Sequence, residues 1–229
     1  MRPARTARTA AAVLSVLTAL LSPAAVHAAE PARAVMPGDT VTLPVRDALA
    51  ALVVRTEDRT GYERTKFKHW TDADRDGCNT RAEVLKAEAV TAPVQGANCV
   101  LTGGSWYSPY DDRYLDSASK LDVDHLVPLA EAWDSGASQW TAKERELYAN
   151  DLDDARDLIA VSAASNRSKA DKDPSEWLPP FAGYRCQYDT DWIADKTRWG
   201  LSIDEVERDA LSQQLADCPD QPVTVTLAR

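Results

Sequence analysis

The sequence predicts an α+β fold, in which short strands and short helices share one core. Two segments have the pattern of strands, "KLDVDHLV" by alternation and "DLIAVS" as a short apolar run. The second leads directly into "SAASNRSKADKD", a predicted helix for which Ser162 is a suitable N-cap. Four cysteines add the expectation of two disulfides.

Residues 1–28 have the pattern of a secretory signal peptide. Charged residues precede the apolar run "AAVLSVLTALL", and Val26 and Ala28 occupy the small-residue positions before a cleavage site. The run is too short to span a bilayer, and no later stretch is apolar enough for a membrane helix. We therefore expect a secreted, extracellular protein without membrane contact after cleavage. A flexible segment at 29–46 would precede a single domain at 47–229.

The cysteines allow three disulfide pairings. We favour Cys78 with Cys99 and Cys186 with Cys218, because each bond then closes a short local loop. A four-cysteine zinc site is the alternative, and the lack of a C-x-x-C pair weighs against it.

The chain is strongly acidic. Cleavage after Ala28 removes Arg2, Arg5 and Arg8, which leaves 23 basic against 36 acidic side chains and a net charge of −13. Phosphate repels such a protein at long range. A function on nucleic acid therefore requires bound cations and a local group of basic side chains.

Other elements follow from periodicity and turn residues. Apolar residues at helical spacing predict a helix at 46–67, and "CNTRAEVLKAEA" predicts a short second helix. In "CVLTGGSWYSPY", a Gly-Gly pair between β-type residues predicts a hairpin. Two helices are expected between the two strands, in "AEAWDSG" and "TAKERELYAND". His69 beside Trp70 is expected to be structural, and Trp106, Tyr107 and Tyr110 to pack in the core.

The last helix is predicted by its start signal. Ser202 and Glu205 form a capping box, and Leu201 and Val206 are placed as its hydrophobic staple. We therefore expect a helix over "SIDEVERDALSQQLADC".

The adjacent residues Asp124 and His125 carry the clearest chemical signal. The strand would bring a carboxylate and an imidazole to its end, and the following helix would bring Asn166 to the same place. Carboxylate and amide oxygens are suitable ligands for a divalent cation. A neutral histidine, with an ordinary pKa of about 6.5, can take a proton from water. Together these groups suit metal-dependent hydrolysis of phosphodiester bonds.

"DVDHLVPL" followed by "LIAVSAASNRSKADKDPSEWLPP" resembles the HNH endonuclease family, the ββα-metal nucleases. With "GCNTRAEVL" before them, these motifs are similar to secreted bacterial HNH-type proteins over most of the mature chain. The resemblance implies a ββα-metal core at about 120–173 with helical additions. It implies Asp124 and Asn166 as metal ligands and His125 as the general base. Mg²⁺ or Mn²⁺ would be the cofactor, with Zn²⁺ as the alternative.

One position departs from the family pattern. The asparagine that steadies the loop in the family falls on Asp157, which we assign to the catalytic group. A carboxylate accepts hydrogen bonds but cannot donate amide protons. Altered loop rigidity, metal affinity or activity is therefore expected.

Four further side chains are candidates for supporting roles. Asp122 lies two residues before Asp124 on the same strand face, where it would support the metal or the histidine or lie at the rim. Lys169 follows Asn166 on the helix and is expected, with Arg167, to bind phosphate. Arg81 is a further candidate for phosphate. The alternatives are solvated helix charges and, for Arg81, an ion pair.

"DADRDGCNTRAE" matches the template of an EF-hand calcium loop. Asp72, Asp74 and Asp76 take positions one, three and five, the carbonyl of Cys78 takes position seven, and Glu83 is the twelfth residue. A structural calcium ion is therefore expected here, and an acidic, solvated turn is the alternative.

We therefore expect a secreted, metal-dependent endonuclease that cuts DNA in preference to RNA. Its sequence specificity should be low because no base-reading module is recognisable. The competing expectation is a non-catalytic secreted protein that binds calcium or a partner on the same scaffold. The negative charge and Asp157 favour that alternative, whereas the ordered motifs oppose it. The sequence predicts no particular oligomeric state.

Overall fold

The computed structural model describes Met1 and residues 36–229. Apart from Met1, the predicted signal peptide at 1–28 and residues 29–35 of the predicted flexible segment lie outside the described residues. The strands of the described part are β1 (Thr40–Pro44), β2 (Ala89–Thr91), β3 (Val94–Gln95), β4 (Leu101–Thr102), β5 (Ser105–Ser108), β6 (Arg113–Leu115), β7 (Leu121–His125), β8 (Leu158–Ser162) and β9 (Pro222–Thr226). The helices are α1 (Val45–Ala51), α2 (Thr80–Ala87), α3 (Leu129–Asp134), α4 (Ala142–Tyr148), α5 (Ala163–Lys169), α6 (Arg185–Trp199) and α7 (Glu205–Leu215).

The strands form four small antiparallel sheets within the described residues. Their orders are β1–β9, β2–β5–β6, β3–β4 and β7–β8. In the last pair, Asp124 lies opposite Ile159 and His125 opposite Leu158. Helix α5 follows β8 without a break, so β7, β8 and α5 form a strand–strand–helix unit. Helices α3 and α4 lie in the connection between β7 and β8, as the sequence predicts.

Two apolar clusters hold these elements together. The larger joins α1, α3, α6, α7 and β9 around fully buried side chains such as Trp192, Ile193 and Leu211. The smaller lies under β7 and β8, where Trp106, Leu121 and Leu158 pack together. The predicted core positions of Trp106 and Tyr110 are confirmed, because both are completely buried. Tyr107 is half-buried.

Both predicted disulfides are confirmed. Cys78 is bonded to Cys99, and Cys186 to Cys218. The first bond links the residues before α2 to the turn before β4, and the second links α6 to the residues after α7. The described part of the chain has no free cysteine, which excludes the four-cysteine zinc site.

The helix predicted over 46–67 is wrong beyond its first turns. Helix α1 ends after seven residues, and Leu52 already has an extended ψ of 139°. The chain then pairs with Ile203, which donates to the carbonyl of Val53 at 2.9 Å and accepts from the amide of Arg55 at 2.8 Å. This tertiary pairing of a β-branched stretch overrides the helical spacing of its side chains.

The flexible segment predicted at 29–46 is also wrong over 40–46. Strand β1 pairs with β9 along its whole length, from Thr40 opposite Thr226 to Pro44 opposite Pro222. Helix α1 begins at the next residue. Pro44 and its partner Pro222 are compatible with the pairing because this sheet has only two strands, both of which are edges.

The predicted Gly-Gly hairpin is not formed. Strand β4 pairs with β3, whereas β5 pairs with β2 and β6. Gly103 and Gly104 have φ values of +65° and +83°, and they turn the chain from one sheet into another. A Cβ atom on Gly104 would lie 2.9 Å from the ring of Trp106, so this position also requires the absence of a side chain.

The last helix is present, but its predicted cap is wrong. The Asp204 carboxylate accepts from the amide of Glu207 at 2.7 Å and caps α7. The Ser202 hydroxyl instead donates to the carbonyl of Ser135 at 3.0 Å, so it is not available as a cap. Val206 is 64% exposed and forms no hydrophobic staple.

Candidate active site

A cleft of about 340 Å³ opens at the end of β7. Its walls come from β7, the start of α3, the last turn of α5 and the turn at Arg64–Lys66. The lining residues include three of those that the sequence predicts for catalysis and metal binding, namely Asp124, His125 and Asn166.

Asp124 is held rigidly at the floor of this cleft. Its Oδ2 accepts from the Tyr110 hydroxyl at 2.7 Å and from Lys169 Nζ at 2.6 Å. Both bonds go to Oδ2. Within the described residues no hydrogen bond to Oδ1 is found, so this oxygen is available to another ligand. Burial raises the pKa of Asp124, and the ammonium group of Lys169 opposes this change.

His125 is buried and fixed in one tautomer. Its Nε2 lies 3.0 Å from the carbonyl oxygen of Ala149. A carbonyl can only accept, so Nε2 carries the hydrogen and Nδ1 has the free lone pair of the neutral ring. Burial lowers the pKa of His125 to about 3, which keeps the ring neutral at physiological pH. Neutral imidazole is the form that can accept a proton.

Asn166 faces the cleft from α5. Its Nδ2 donates to Asp122 Oδ2 at 3.4 Å, which leaves the amide oxygen without a described partner. Asp122 Oδ2 also lies 3.6 Å from the guanidinium of Arg167. Asp122 therefore contacts Asn166 and Arg167, and it supports the site through these two side chains.

Arg167 is the predicted phosphate contact that the structure leaves accessible. Its side chain is 76% exposed and lines the cleft. Arg64 lies at the same cleft and is also exposed, although no motif in the sequence points to it. Asp171, likewise not predicted, adds an exposed carboxylate. The sequence predicts helices at both positions and assigns neither residue a chemical role.

Lys169 is not available to phosphate, contrary to the prediction. The residue is completely buried, and its ammonium group donates to Asp124 and, at 3.0 Å, to the carbonyl of His125. A long side chain allows the lysine to reach beneath β7 from the last turn of α5. Its role is to hold Asp124 and to fix α5 against β7.

Arg81 is also not a cleft residue. Its guanidinium donates to the carbonyl of Leu121 at 2.9 Å and approaches that of Ala118 at 3.4 Å. These contacts tie α2 to the start of β7, at the other end of the strand from His125. The prediction of a phosphate contact is therefore wrong, and the arginine stabilises main chain.

Asp157 does not line the cleft, so its assignment to the catalytic group is wrong. Its Oδ2 accepts from Arg198 Nε at 3.2 Å and from Trp199 Nε1 at 3.3 Å. Burial and neighbouring carboxylates raise the pKa of Asp157 well above its ordinary value. Its main-chain carbonyl accepts from the amide of Leu126 at 3.0 Å, which ties the chain before β8 to the end of β7.

The acidic loop before α2 has part of the predicted calcium geometry. Carboxylate oxygens of Asp72, Asp74 and Asp76 lie within 4.8 Å of one another, and all three residues are exposed. Gly77 has φ of +93° and its amide donates to Asp72 at 3.1 Å. A carboxylate oxygen of Glu83, on α2, lies within 4.8 Å of one from Asp76 and of the Cys78 sulfur, which belongs to the disulfide with Cys99. Helix α2 follows the loop, as in an EF-hand. The entering helix of an EF-hand is missing, because the described chain between α1 and α2 contains no helix except a single 3-10 turn at Arg64–Lys66.

Backbone strain is found beside the cleft. Ser162 caps α5 by accepting from the amide of Ser165 at 3.2 Å, as predicted, but the helix ends at Lys169 rather than at 173. Ala170, which lines the cleft, has φ of 53° and ψ of −126°. This conformation is essentially restricted to glycine. Strained residues of this kind cluster at functional sites.

Comparison with known proteins shows the family to which the chain belongs. Residues 81–214 match the C-terminal domain of GmrSD restriction endonucleases, an HNH-type nuclease family. The chain belongs to this family, which confirms the resemblance in its general form. A protein of Arthroderma benhamiae, described as an uncharacterized secreted protein, is 40% identical over 206 residues. The match covers 90% of this chain and 96% of the relative.

The relative is fungal, so the expected likeness to secreted bacterial proteins has no support. No solved structure gives a significant match. Across the described residues, we find no helix with the length and apolar character needed to cross a membrane.

The strain at Ala170 gives a stability prediction. Ala170→Gly should raise the free energy of unfolding by about 1 kcal/mol, because relief of about 1–3 kcal/mol of strain exceeds the entropy cost of glycine, about 0.5–1 kcal/mol. Urea denaturation measures the difference. Ala163→Gly, in the same helix, is the matched control and should lower stability by about 1 kcal/mol. Equal losses in both variants would contradict strain at Ala170.

Proposed function

We propose that this protein is a secreted, metal-dependent endonuclease that hydrolyses phosphodiester bonds in nucleic acid. The observation that carries the proposal is the convergence of Asp124, His125 and Asn166 on one cleft. Membership in a family of restriction endonuclease domains supports it. We further propose that β7, β8 and α5 are the ββα-metal core of the HNH family.

The donor set of the cleft fits a hard divalent cation. Asp124 Oδ1 and the amide oxygen of Asn166 have no described donor, and both residues line the cleft. Oxygen ligands that leave room for water and phosphate suit Mg²⁺ or Mn²⁺, with Zn²⁺ as the alternative. When bound, such a cation would supply positive charge for the phosphate and the leaving oxygen.

His125 is the general base in this proposal. The Ala149 carbonyl holds the proton on Nε2, so Nδ1 is the nitrogen that takes a proton from water. Burial maintains the neutral ring, and the main chain at Ala149 stabilises the charge that the ring gains. The water loses its proton to Nδ1 and its oxygen bonds to the phosphorus, while the bond from phosphorus to the leaving sugar oxygen breaks. The leaving oxygen takes a proton from solvent, and Nδ1 releases its proton to solvent.

The proposed phosphate contacts are Arg167, as the sequence predicts, and Arg64, which takes the place of Lys169 and Arg81. Both arginines are exposed and line the cleft, and neither is buried in an ion pair. Guanidinium groups bind phosphate through two parallel hydrogen bonds. Two local arginines supply the positive charge that a strongly acidic protein needs where its substrate binds.

The proposed substrate is DNA in preference to RNA, with little sequence specificity. Contacts to phosphate position a nucleic acid but do not read its bases. The proposed location is extracellular. The leader pattern at 1–28 and the description of the Arthroderma benhamiae relative as secreted support it.

Nuclease activity is tested directly on oxidised, purified protein. Plasmid and linear DNA should be cut with Mg²⁺ or Mn²⁺, and EDTA should stop cleavage. His125→Ala and Asn166→Ala should each lower the rate at least about 100-fold, because they remove the base and a proposed ligand. Asp209→Asn, at an exposed acid on α7, is the control. DNA and RNA left intact across metals and pH would refute the proposal.

The phosphate contacts are tested by salt dependence. Arg64→Ala and Arg167→Ala should each weaken DNA binding and reduce the slope of log affinity against log salt by about 1. Fluorescence anisotropy with a labelled oligonucleotide measures both. Arg113→Ala removes an exposed arginine of β6 outside the cleft and should change neither beyond the effect of net charge. An unchanged slope in both cleft variants would exclude these contacts.

A second candidate role is structural calcium binding at the acidic loop. The EF-hand spacing and the convergence of Asp72, Asp74 and Asp76 favour it. Calcium at ten times its Kd should stabilise the fold by about 1.4 kcal/mol. Asp74→Asn should reduce this gain, measured by thermal unfolding, whereas the control Asp112→Asn should not. Calcium binding without any cleavage would favour the non-catalytic alternative.

A further inference from the structure

His125 is held by the end of α4, from the region inserted between the two strands of its own sheet. We call Tyr148, Ala149 and Asn150 the α4 strip. Two of these residues contact His125 directly, and the third holds a loop that packs on it. The Ala149 carbonyl accepts from Nε2 of His125 at 3.0 Å. The Tyr148 ring is stacked on His125 with centroids 6.5 Å apart, and its hydroxyl donates to the carbonyl of Val127.

Asn150, the third residue of the α4 strip, clamps a distant loop. Its Oδ1 accepts from the amide of Thr71 at 2.9 Å, and its Nδ2 donates to the carbonyl of Lys68 at 2.8 Å. One carboxamide therefore holds the chain on both sides of residues 69 and 70. The same group accepts from the Thr80 hydroxyl at 2.8 Å and donates to the carbonyl of Glu146 at 2.7 Å. All four of its hydrogen-bonding positions are used.

The clamped loop places Trp70 on His125. The two rings are 5.2 Å apart between centroids, with an angle of 31° between their planes. Trp70 has φ of 58°, in the left-handed region that a bulky side chain rarely adopts. Such a conformation persists only when the surrounding contacts impose it. Asn150 supplies two of these contacts, to Lys68 and Thr71, and Thr80 adds bonds to the carbonyl of Thr71.

We propose that Asn150 and Trp70 are positioning residues that orient the imidazole of His125. Ala149 fixes the edge of the ring, and Trp70, clamped by the next residue along the α4 strip, fixes its face. The inference rests on the proposed nuclease function, because it assigns a purpose to the orientation of the general base. It predicts that loosening the clamp releases the ring even though Ala149 is unchanged.

The chemistry of the clamp requires an amide. An aspartate at 150 would keep the size of the side chain and the two bonds accepted from Thr71 and Thr80. It would lose both donated bonds and place a carboxylate against the carbonyls of Lys68 and Glu146. Asn150→Asp therefore breaks the donated half of the clamp without removing side-chain volume, and it adds one negative charge at that position.

The orientation of the ring is measured without reference to activity. In ¹⁵N-labelled protein, the imidazole of His125, assigned by its loss in His125→Ala, should show a protonated Nε2 and an unprotonated Nδ1. Asn150→Asp and Trp70→Ala should replace this single tautomer by averaged nitrogen shifts. Trp70→Phe, which keeps an aromatic face, should restore it. Trp106→Phe, at a buried tryptophan without a ring contact to His125, is the matched control.

Activity supplies the second measurement. Asn150→Asp and Trp70→Ala should lower kcat about 100-fold with little change in KM, because a slightly misplaced base retains substrate binding. Trp70→Phe should recover most of the loss. If Trp70→Ala does not fold, as judged by circular dichroism, Asn150→Asp and Trp70→Phe decide the question.

The outcomes separate the two proposals. Wild-type protein without activity on any nucleic acid refutes the nuclease function, and the imidazole spectra alone then decide the positioning role. A single, unchanged tautomer in folded Asn150→Asp and Trp70→Ala overturns the positioning role, whatever the activity. Averaged shifts with a reduced kcat and rescue by Trp70→Phe support both.

Discussion

The buried ion pair between Lys169 and Asp124 is the contact on which the site depends. Lys169 is fully buried, and within the described part of the chain its ammonium group donates to Asp124 and to the carbonyl of His125. It also lies 5.9 Å from the centre of the Trp192 ring. Such an ion pair adds little net stability, but removal of one partner leaves an unpaired buried charge. Its value here is geometric, because it fixes α5 against β7 and so brings Asn166 to the cleft. It also engages Oδ2 of Asp124 and leaves Oδ1 for other ligands.

The strong negative charge of the chain is less of an obstacle to nucleic acid than the composition suggests. Part of the acid content is buried and paired, as in the contacts of Lys196 with Glu131 and Glu207. Burial also raises the pKa of Glu88 to about 7, so its carboxyl group is partly protonated at neutral pH. The formal charge therefore overstates the negative field, whereas Arg64 and Arg167 are placed at the cleft itself.

The sequence predicted the parts of the site that are local in the chain. The order of strand, strand and helix was enough to bring Asp124 and Asn166 to one place. Spacing could not reveal that Lys169 turns inward, because a long side chain can reach water or the core from the same position. The helix predicted at 46–67 ends early because the chain at Val53–Arg55 pairs with Ile203, a contact that local periodicity does not predict. Arg64, which completes the cleft, and Trp70, which contacts His125, are distant in sequence from these motifs.

The residues of the site come from two parts of the chain, the region that matches the nuclease family and the segment before it. Asp124, His125 and Asn166 lie within the region that matches the nuclease family, residues 81–214. Arg64 and Trp70 precede that region, yet one lines the cleft and the other contacts the histidine. The family region thus contains the proposed base and metal ligands, and the preceding segment adds charge and an aromatic face. The α4 strip joins the two parts, because its residues contact both His125 and the loop that carries Trp70.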